Sequence, residues 1–309
     1  MIPKLHEYQE RLRDTNHPGE KSRITIQGQD LNRDLEKPLV SIVTVAFNSA
    51  ASIERTILSV LAQTYREIEY IVIDGGSTDG TVDIIRKWSS RISYWHSAKD
   101  HGISDAFNLG IAAAQGEFIG IVNSDDWMSP NQTELLVAAL QRTDAAFAFG
   151  RLAHHKVDGS ILYYMDGDSN YSSEIFWRMP PINHPTVISR RTSYETVGLF
   201  DTQRRVAMDY DWHLRAELQG LRGVYVQEAT GHMMEGGICQ VNWQGGLREV
   251  RDIAVQHTGS RLMPNVYYLA RLARGFIRLR LDELAPKWLV NFLHRMMNPR
   301  FKAAQSKPR

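Results

Sequence analysis

A regular pattern begins at Pro38. Leu39, Val40, Ile42, Val43 and Val45 form a short apolar run bounded by Pro38 and Asn48, which predicts a buried parallel strand. In the next stretch, SIERTILSVLAQ, residues Ile53, Ile57 and Leu61 fall four apart, so this segment is a helix with one apolar stripe. The alternation continues with strands at 68–73, 92–97, 117–122 and 145–150 and helices at 81–88, 104–115 and 129–142. The last helix carries a start signal, with Ser129 suited to the N-cap, Pro130 to the first turn and Gln132 to a capping box. Strand and helix alternate from 39 to about 150. That order predicts an α/β fold: an open, mostly parallel sheet covered by helices on both faces.

Outside this stretch the pattern changes. Residues 1–37 are polar and read as an extension with one short helix at 4–13. Residues 151–240 mix short strands, loops and a helix at 209–219. Beyond 241 the chain is basic and helical. Arg271, Arg274 and Arg278 fall on one helical face, and Leu269, Leu272, Phe276 and Leu279 on the opposite one. The expected organisation is therefore an extension (1–37), an α/β domain (38–240, with halves 38–150 and 151–240) and a basic helical region (241–309). Such a basic amphipathic helix either lies on an anionic membrane surface or packs on the domain with its arginines in water.

Composition narrows the class only slightly. The 309 residues are 43% hydrophobic and 23% charged, with a net charge of +1, the balance of an ordinary soluble protein with nothing pointing to nucleic acid. The charge is uneven, because residues 261–309 hold eleven Lys and Arg against two Asp and Glu. The single cysteine, Cys239, excludes an intrachain disulfide and a cysteine-based zinc site. The N-terminal stretch MIPKLHEYQERLR lacks the apolar core of a secretory signal, and no apolar run is long enough to span a membrane.

The candidate chemistry lies at the strand ends, where ligands bind in such sheets. AFN at 46–48, DGGSTDGT at 74–81 and NSDD at 123–126 would share one cleft. Asp74 can accept hydrogen bonds from a base or ribose, or simply belong to a glycine-rich turn; Asp79 or Thr81 can cap the next helix. The adjacent carboxylates Asp125 and Asp126 suit Mg²⁺ or Mn²⁺ against a diphosphate, or else a wet loop end. Asp209 and Asp211 open a helix, where carboxylates favour the positive end of the dipole; Asp209 can equally serve as a general base. No Gly-Lys-Ser/Thr phosphate loop is present, which argues against a phosphoryl or nucleotidyl transferase.

Taken together, these stretches resemble the family 2 inverting glycosyltransferases of the GT-A fold, which build bacterial cell-surface polysaccharides. PLVSIVTVAFNSAASIERTILSVLAQTY, EYIVIDGGSTDGTVDII, DHGISDAFNLGIAAAQGEFIGIVNSDDW and HPTVISRRTSYETVGLFDTQRRVAMDYDWHLRA carry the resemblance over about 38–220. It implies a nucleotide-sugar donor, with UDP as the default carrier. Val45, Phe47 and Asn48 would line the nucleotide pocket, Asp74 would meet the base, and Asp105 and Asn108 would shape the same wall. Asp125 would face the ribose or the metal, Asp126 would bind Mn²⁺ or Mg²⁺, and Asp209 would be the catalytic base. Gly75, Asn123 and Met208 depart from the family pattern, which often has Asp, Asp and Glu there. EGGICQVN (235–242) resembles a segment that closes over the donor, with Arg248 and Arg251 in reach of the diphosphate and His184 near the acceptor. A polyprenyl-linked glycan acceptor and a cytoplasmic, peripheral place on the inner membrane face follow from the same resemblance. A non-catalytic nucleotide-sugar-binding protein on this fold is the alternative.

Overall fold

The computed structural model describes residues 2–13, 20–23, 37–235, 242–284 and 301–303. Its centre is a parallel sheet built from the predicted apolar runs. Strands β1 (Glu20–Arg23), β2 (Val40–Ala46), β3 (Ile68–Asp74), β4 (Tyr94–Ser97), β5 (Phe118–Asn123) and β6 (Trp127–Met128) lie in the first half. Strands β7 (Phe147–His155), β8 (Ile161–Met165), β9 (Ile188–Arg190), β10 (Gly223–Met234) and β11 (Phe301–Ala303) complete one sheet, so both halves of the α/β region share it. Its main path runs β1-β4-β3-β2-β5-β9-β7-β10-β6. Strands β4, β3, β2 and β5 are parallel, and every residue of β2 is buried.

The strand at 145–150 does not join β5 as the alternation implies. The antiparallel three-residue β9 lies between β5 and β7. A strand that short leaves no period to read. Strand β7 then pairs in parallel with β10.

The helices are α1 (Leu5–Arg13), α2 (Ile53–Leu61), α3 (Thr81–Trp88), α4 (Ile103–Ala113), α5 (Gln132–Gln141), α6 (Arg191–Val197), α7 (Met208–Leu218), α8 (Trp243–Thr258) and α9 (Leu262–Leu284). Helix α4 is buried from Ser104 to Ala113. Gly110 allows this depth, since a Cβ there would stand 2.2 Å from Val43 Cγ1 on β2. The start signal assigned to Ser129 is corrected. Helix α5 begins at Gln132 behind Asn131; Ser129 instead accepts the Gln132 N–H on its carbonyl and bonds His232 through its hydroxyl. Pairing with β10 draws the hydroxyl to a tertiary partner, which outcompetes the local cap.

Candidate active site

Two loops at the carboxyl ends of β2 and β3 lock together. The Asn48 N–H donates to Ser77 Oγ, and Asn48 Oδ1 accepts from the Thr78 N–H. These bonds hold Asn48 at φ 49°, in the left-handed region that asparagine tolerates. Asp79 accepts from the Ala50 N–H and from Thr81, and Thr81 Oγ1 accepts from the Ser49 N–H. Asn48 is therefore a loop fastener, and Val45 lies in the core. Phe47 is 65% exposed at the sheet's carboxyl edge, free to stack on a planar ligand.

Asp74, expected to meet a base, is already engaged by donors of the protein itself. It is fully buried, and its carboxylate accepts from the N–H groups of Gly76 and Ser77 and from the hydroxyls of Ser77 and Ser97. Four donors saturate it and make it the hub of the turn. Asp105 and Asn108 are also engaged within the protein. Asp105 accepts from Tyr8 Oη and from both Arg11 nitrogens, which fixes α1 on α4. Asn108 clasps Phe200, donating to its carbonyl and accepting its N–H. Both are buried and support the wall from behind.

The NSDD turn is clamped from α2. Thr56 Oγ1 donates to the carbonyls of Ser124 and Asp126, and Arg55 donates to the Asp125 carbonyl while stacking 3.9 Å over Trp127. The two carboxylates diverge. Asp125 is exposed, whereas Asp126 is 1% exposed. Burial, and then the neighbouring Asp125 charge, hold the Asp126 carboxyl well above the usual carboxylate range. The accessible carboxylate of the pair is Asp125, with the Asp126 carboxyl buried next to it. The donor set still suits a divalent cation. Asn123 Oδ1 and Asp126 Oδ1 are buried without partners beside Asp125. No cluster of three or more His, Cys, Asp or Glu exists among the described residues. Mg²⁺ and Mn²⁺ need only one or two carboxylates when phosphate oxygens supply the rest.

Asp209 sits at the first turn of α7. Its carboxylate accepts the Tyr210 N–H at 2.8 Å and meets no cationic partner among the described residues. Burial pushes it up to about 6, with the Glu249 charge adding to the rise. Asp211, two residues on, has the opposite character. It bonds Arg215 Nε and His257 Nε2, each at 2.8 Å, and ties α8 to α7. Spacing alone does not separate these two carboxylates; their partners do. Where the family often has Glu, Met208 is buried, and Glu249 on α8 accepts the N–H groups of Arg205, Val206 and Ala207 just ahead of α7. Ser104, at the start of α4, donates to the Arg204 carbonyl, so this segment is tethered beside the DHG loop. Glu249 lies forty residues from Asp209, too far for any motif to reveal it.

Three further expectations fare differently. His184 is half-buried and packs its ring on Phe107 and Phe200, its Nε2 is buried without a partner, and burial lowers it to about 4. Arg251 is engaged by Asp252 and stacks on Tyr268, which leaves Arg248 as the exposed arginine of the pair. Of the segment 235–242, residues 236–241 lie outside the described residues.

An uncharacterized glycosyltransferase of Rickettsia typhi is 30% identical over 189 residues, and the match covers 59% of each chain. The chain thus spans under two thirds of that relative's length. The structure of S. aureus TarS 1-349 in complex with UDP-GlcNAc superposes with a TM-score of 0.57 at 19% identity, covering 74% of this chain and 68% of that one. Mannosyltransferase PcManGT from Pyrobaculum calidifontis, in complex with GDP-Man and Mn²⁺, gives 0.55 at 17%, covering 98% and 84%. These likenesses bear out the GT-A fold. The model of glycosyl transferase family 2 matches residues 41–198, more than half of the 309, and the chain belongs to that family.

Proposed function

We propose that the chain is an inverting glycosyltransferase that moves a sugar from a nucleoside diphosphate sugar to an acceptor hydroxyl. The observation that carries this reading is Asp209: a buried carboxylate with no cationic partner among the described residues, pushed up to about 6. A general base works best when its pKa lies near the operating pH. The acceptor hydroxyl attacks the anomeric carbon from the face opposite the diphosphate, and Asp209 takes its proton. The bond from the anomeric carbon to the diphosphate oxygen breaks, and its electron pair leaves with the diphosphate. Configuration inverts in this single displacement. Glu249 holds the loop ahead of α7 so that Asp209 keeps its place. Phe47 offers a face for the base, and Arg248 a positive charge for the diphosphate. Bound at Asp125, Mn²⁺ or Mg²⁺ supplies charge that offsets the negative charge developing on the diphosphate.

The test is calorimetric titration of UDP and GDP with and without Mn²⁺. Binding of UDP that requires Mn²⁺ is expected. No binding of either nucleotide under any condition would overturn the reading.

The acceptor we propose is a lipid-linked glycan, with the protein peripheral on the cytoplasmic membrane face. Helix α9 supports this. Among the described residues no helix is long and apolar enough to cross a membrane. Yet Leu262, Val266, Leu269, Phe276 and Ile277 are all exposed on one side of α9. Its other side packs Tyr267 on Trp177, and Tyr268 under Arg251. A helix that turns apolar groups to solvent, and carries Arg271, Arg274 and Arg280, suits an anionic lipid surface. Of the leucines expected on the apolar face, Leu269 is exposed and Leu272 half-buried. Sedimentation with phosphatidylglycerol vesicles is expected to recover the protein at low salt and progressively less as salt rises. Leu269→Asp/Phe276→Asp should cut recovery at least about tenfold, since each buried apolar side chain contributes roughly 1.5–3 kcal/mol. Equal recovery of the variant and the parent would sink the membrane role.

A further inference from the structure

The saturation of Asp74 leaves the donor cleft without its expected base reader, and the structure offers another group. Gly75 donates its N–H to the Ala46 carbonyl at 2.9 Å, so it lies against the residue that precedes the exposed ring of Phe47. A Cβ at Gly75 would stand 2.6 Å from Asp100 Oδ2 and 3.1 Å from its Cγ. The Asp100 carboxyl therefore fills the space that any side chain at 75 would take. The two loops are further joined by the Ala98 N–H, which donates to the Asp74 carbonyl. Asp100 comes from the opposite direction in sequence, out of the DHG loop ahead of α4.

Its two oxygens differ. Oδ1 accepts the Gly102 N–H at 2.9 Å. Oδ2 has no hydrogen bond among the described residues, on a carboxyl that is half-buried. Burial raises Asp100, with Asp105 and Asp74 adding to the rise. In the empty protein this acceptor has no partner among the described residues, and Gly75, which it approaches, is bonded to the residue ahead of the exposed Phe47. The acceptor becomes an asset once a donor N–H arrives.

We infer that Asp100 Oδ2, reaching through the gap at Gly75, accepts the N3–H of a uracil stacked on Phe47, so that Asp100 rather than Asp74 selects the base of the donor. The inference rests on the nucleoside diphosphate sugar reading above and narrows it. One free acceptor oxygen matches one ring N–H. Guanine presents an adjacent N1–H and amino group, and one of these would be left unpaired. Cytosine presents an acceptor at N3, which the carboxylate repels.

The experiment uses the full chain with Mn²⁺ and four probes: UDP, GDP, CDP and 3-methyl-UDP, which lacks the N3–H. Wild type should bind UDP about 10–100-fold more tightly than 3-methyl-UDP, the range for a hydrogen bond to a charged group. Asp100→Ala should bind both with equal, weakened affinity. Asp100→Asn keeps an acceptor for Gly102 and turns an amide N–H₂ into the place of Oδ2. It should therefore lose UDP affinity and gain CDP affinity. If wild type binds UDP but does not distinguish 3-methyl-UDP, or if the Asp100 variants bind UDP as wild type does, this inference falls and the glycosyltransferase reading survives. Tighter binding of GDP than of UDP overturns it too. If wild type binds none of the nucleotides, both fall together. The 3-methyl-UDP arm needs no substitution, so a misfolded variant cannot shelter the idea.

Discussion

Asp209→Asn should lower sugar transfer about 10³-fold while leaving nucleoside diphosphate affinity unchanged, because removing a positioned general base costs roughly 10²–10⁴ in rate. The amide keeps the acceptor for the Tyr210 N–H, so α7 should stay intact. The same substitution should stabilise the protein. The folded value of Asp209 is about 6, against an ordinary 3.8. A raised carboxyl favours its protonated form, so ionising it opposes folding. Its contribution is fully present below about pH 4 and is lost as pH rises through about 6. The gap of about two units corresponds to about 3 kcal/mol at neutral pH. Asp209→Asn should then melt about 5 °C above the parent at pH 7.5 and no higher at pH 4. In the parent, kcat/KM should rise with pH along a limb centred near 6. Glu249→Gln should move that limb to lower pH by removing a nearby negative charge. A loss of packing alone would not shift it. An Asn variant that keeps more than a tenth of the activity would remove Asp209 from the mechanism.

Much of the fold is legible because apolar periodicity is a strong signal. Every residue of β2 is buried, and the run at 39–45 announces it. What stays hidden depends on distance in sequence or on the direction of a single side chain. Asp74 sits at a strand end and looks like a ligand contact. Only the positions of Ser77, Ser97 and two N–H groups show it to be saturated. Asp100 looks like loop punctuation until the missing Cβ of Gly75 is set beside it. Asp105 and Asn108 carry the chemistry of binding residues, yet their partners are Arg11 and Phe200, more than ninety residues away in either direction. In each case a polar residue near a cleft has been recruited to hold the cleft's walls. Burial with every acceptor matched distinguishes such a residue from one that waits for a ligand.

The NSDD turn sets the second large effect. Asp125→Ala should abolish the Mn²⁺ dependence of nucleotide binding and reduce transfer about 100-fold, since charge stabilisation by a bound metal amounts to several kcal/mol. Asp126→Asn should leave both within about fivefold. The two residues share a turn whose backbone is fixed by Thr56 and Arg55, so the contrast comes from side-chain direction rather than from local folding. Asp125 meets solvent at the carboxyl edge of β5. Asp126 lies beneath it with Asn123 Nδ2 at 3.2 Å, where an amide fits as well as a carboxyl. Titrating Mn²⁺ into each variant in the presence of saturating UDP separates the roles. Retained Mn²⁺ dependence in Asp125→Ala, together with its loss in Asp126→Asn, would return the metal to the buried carboxyl. It would then follow that the turn opens when the donor arrives.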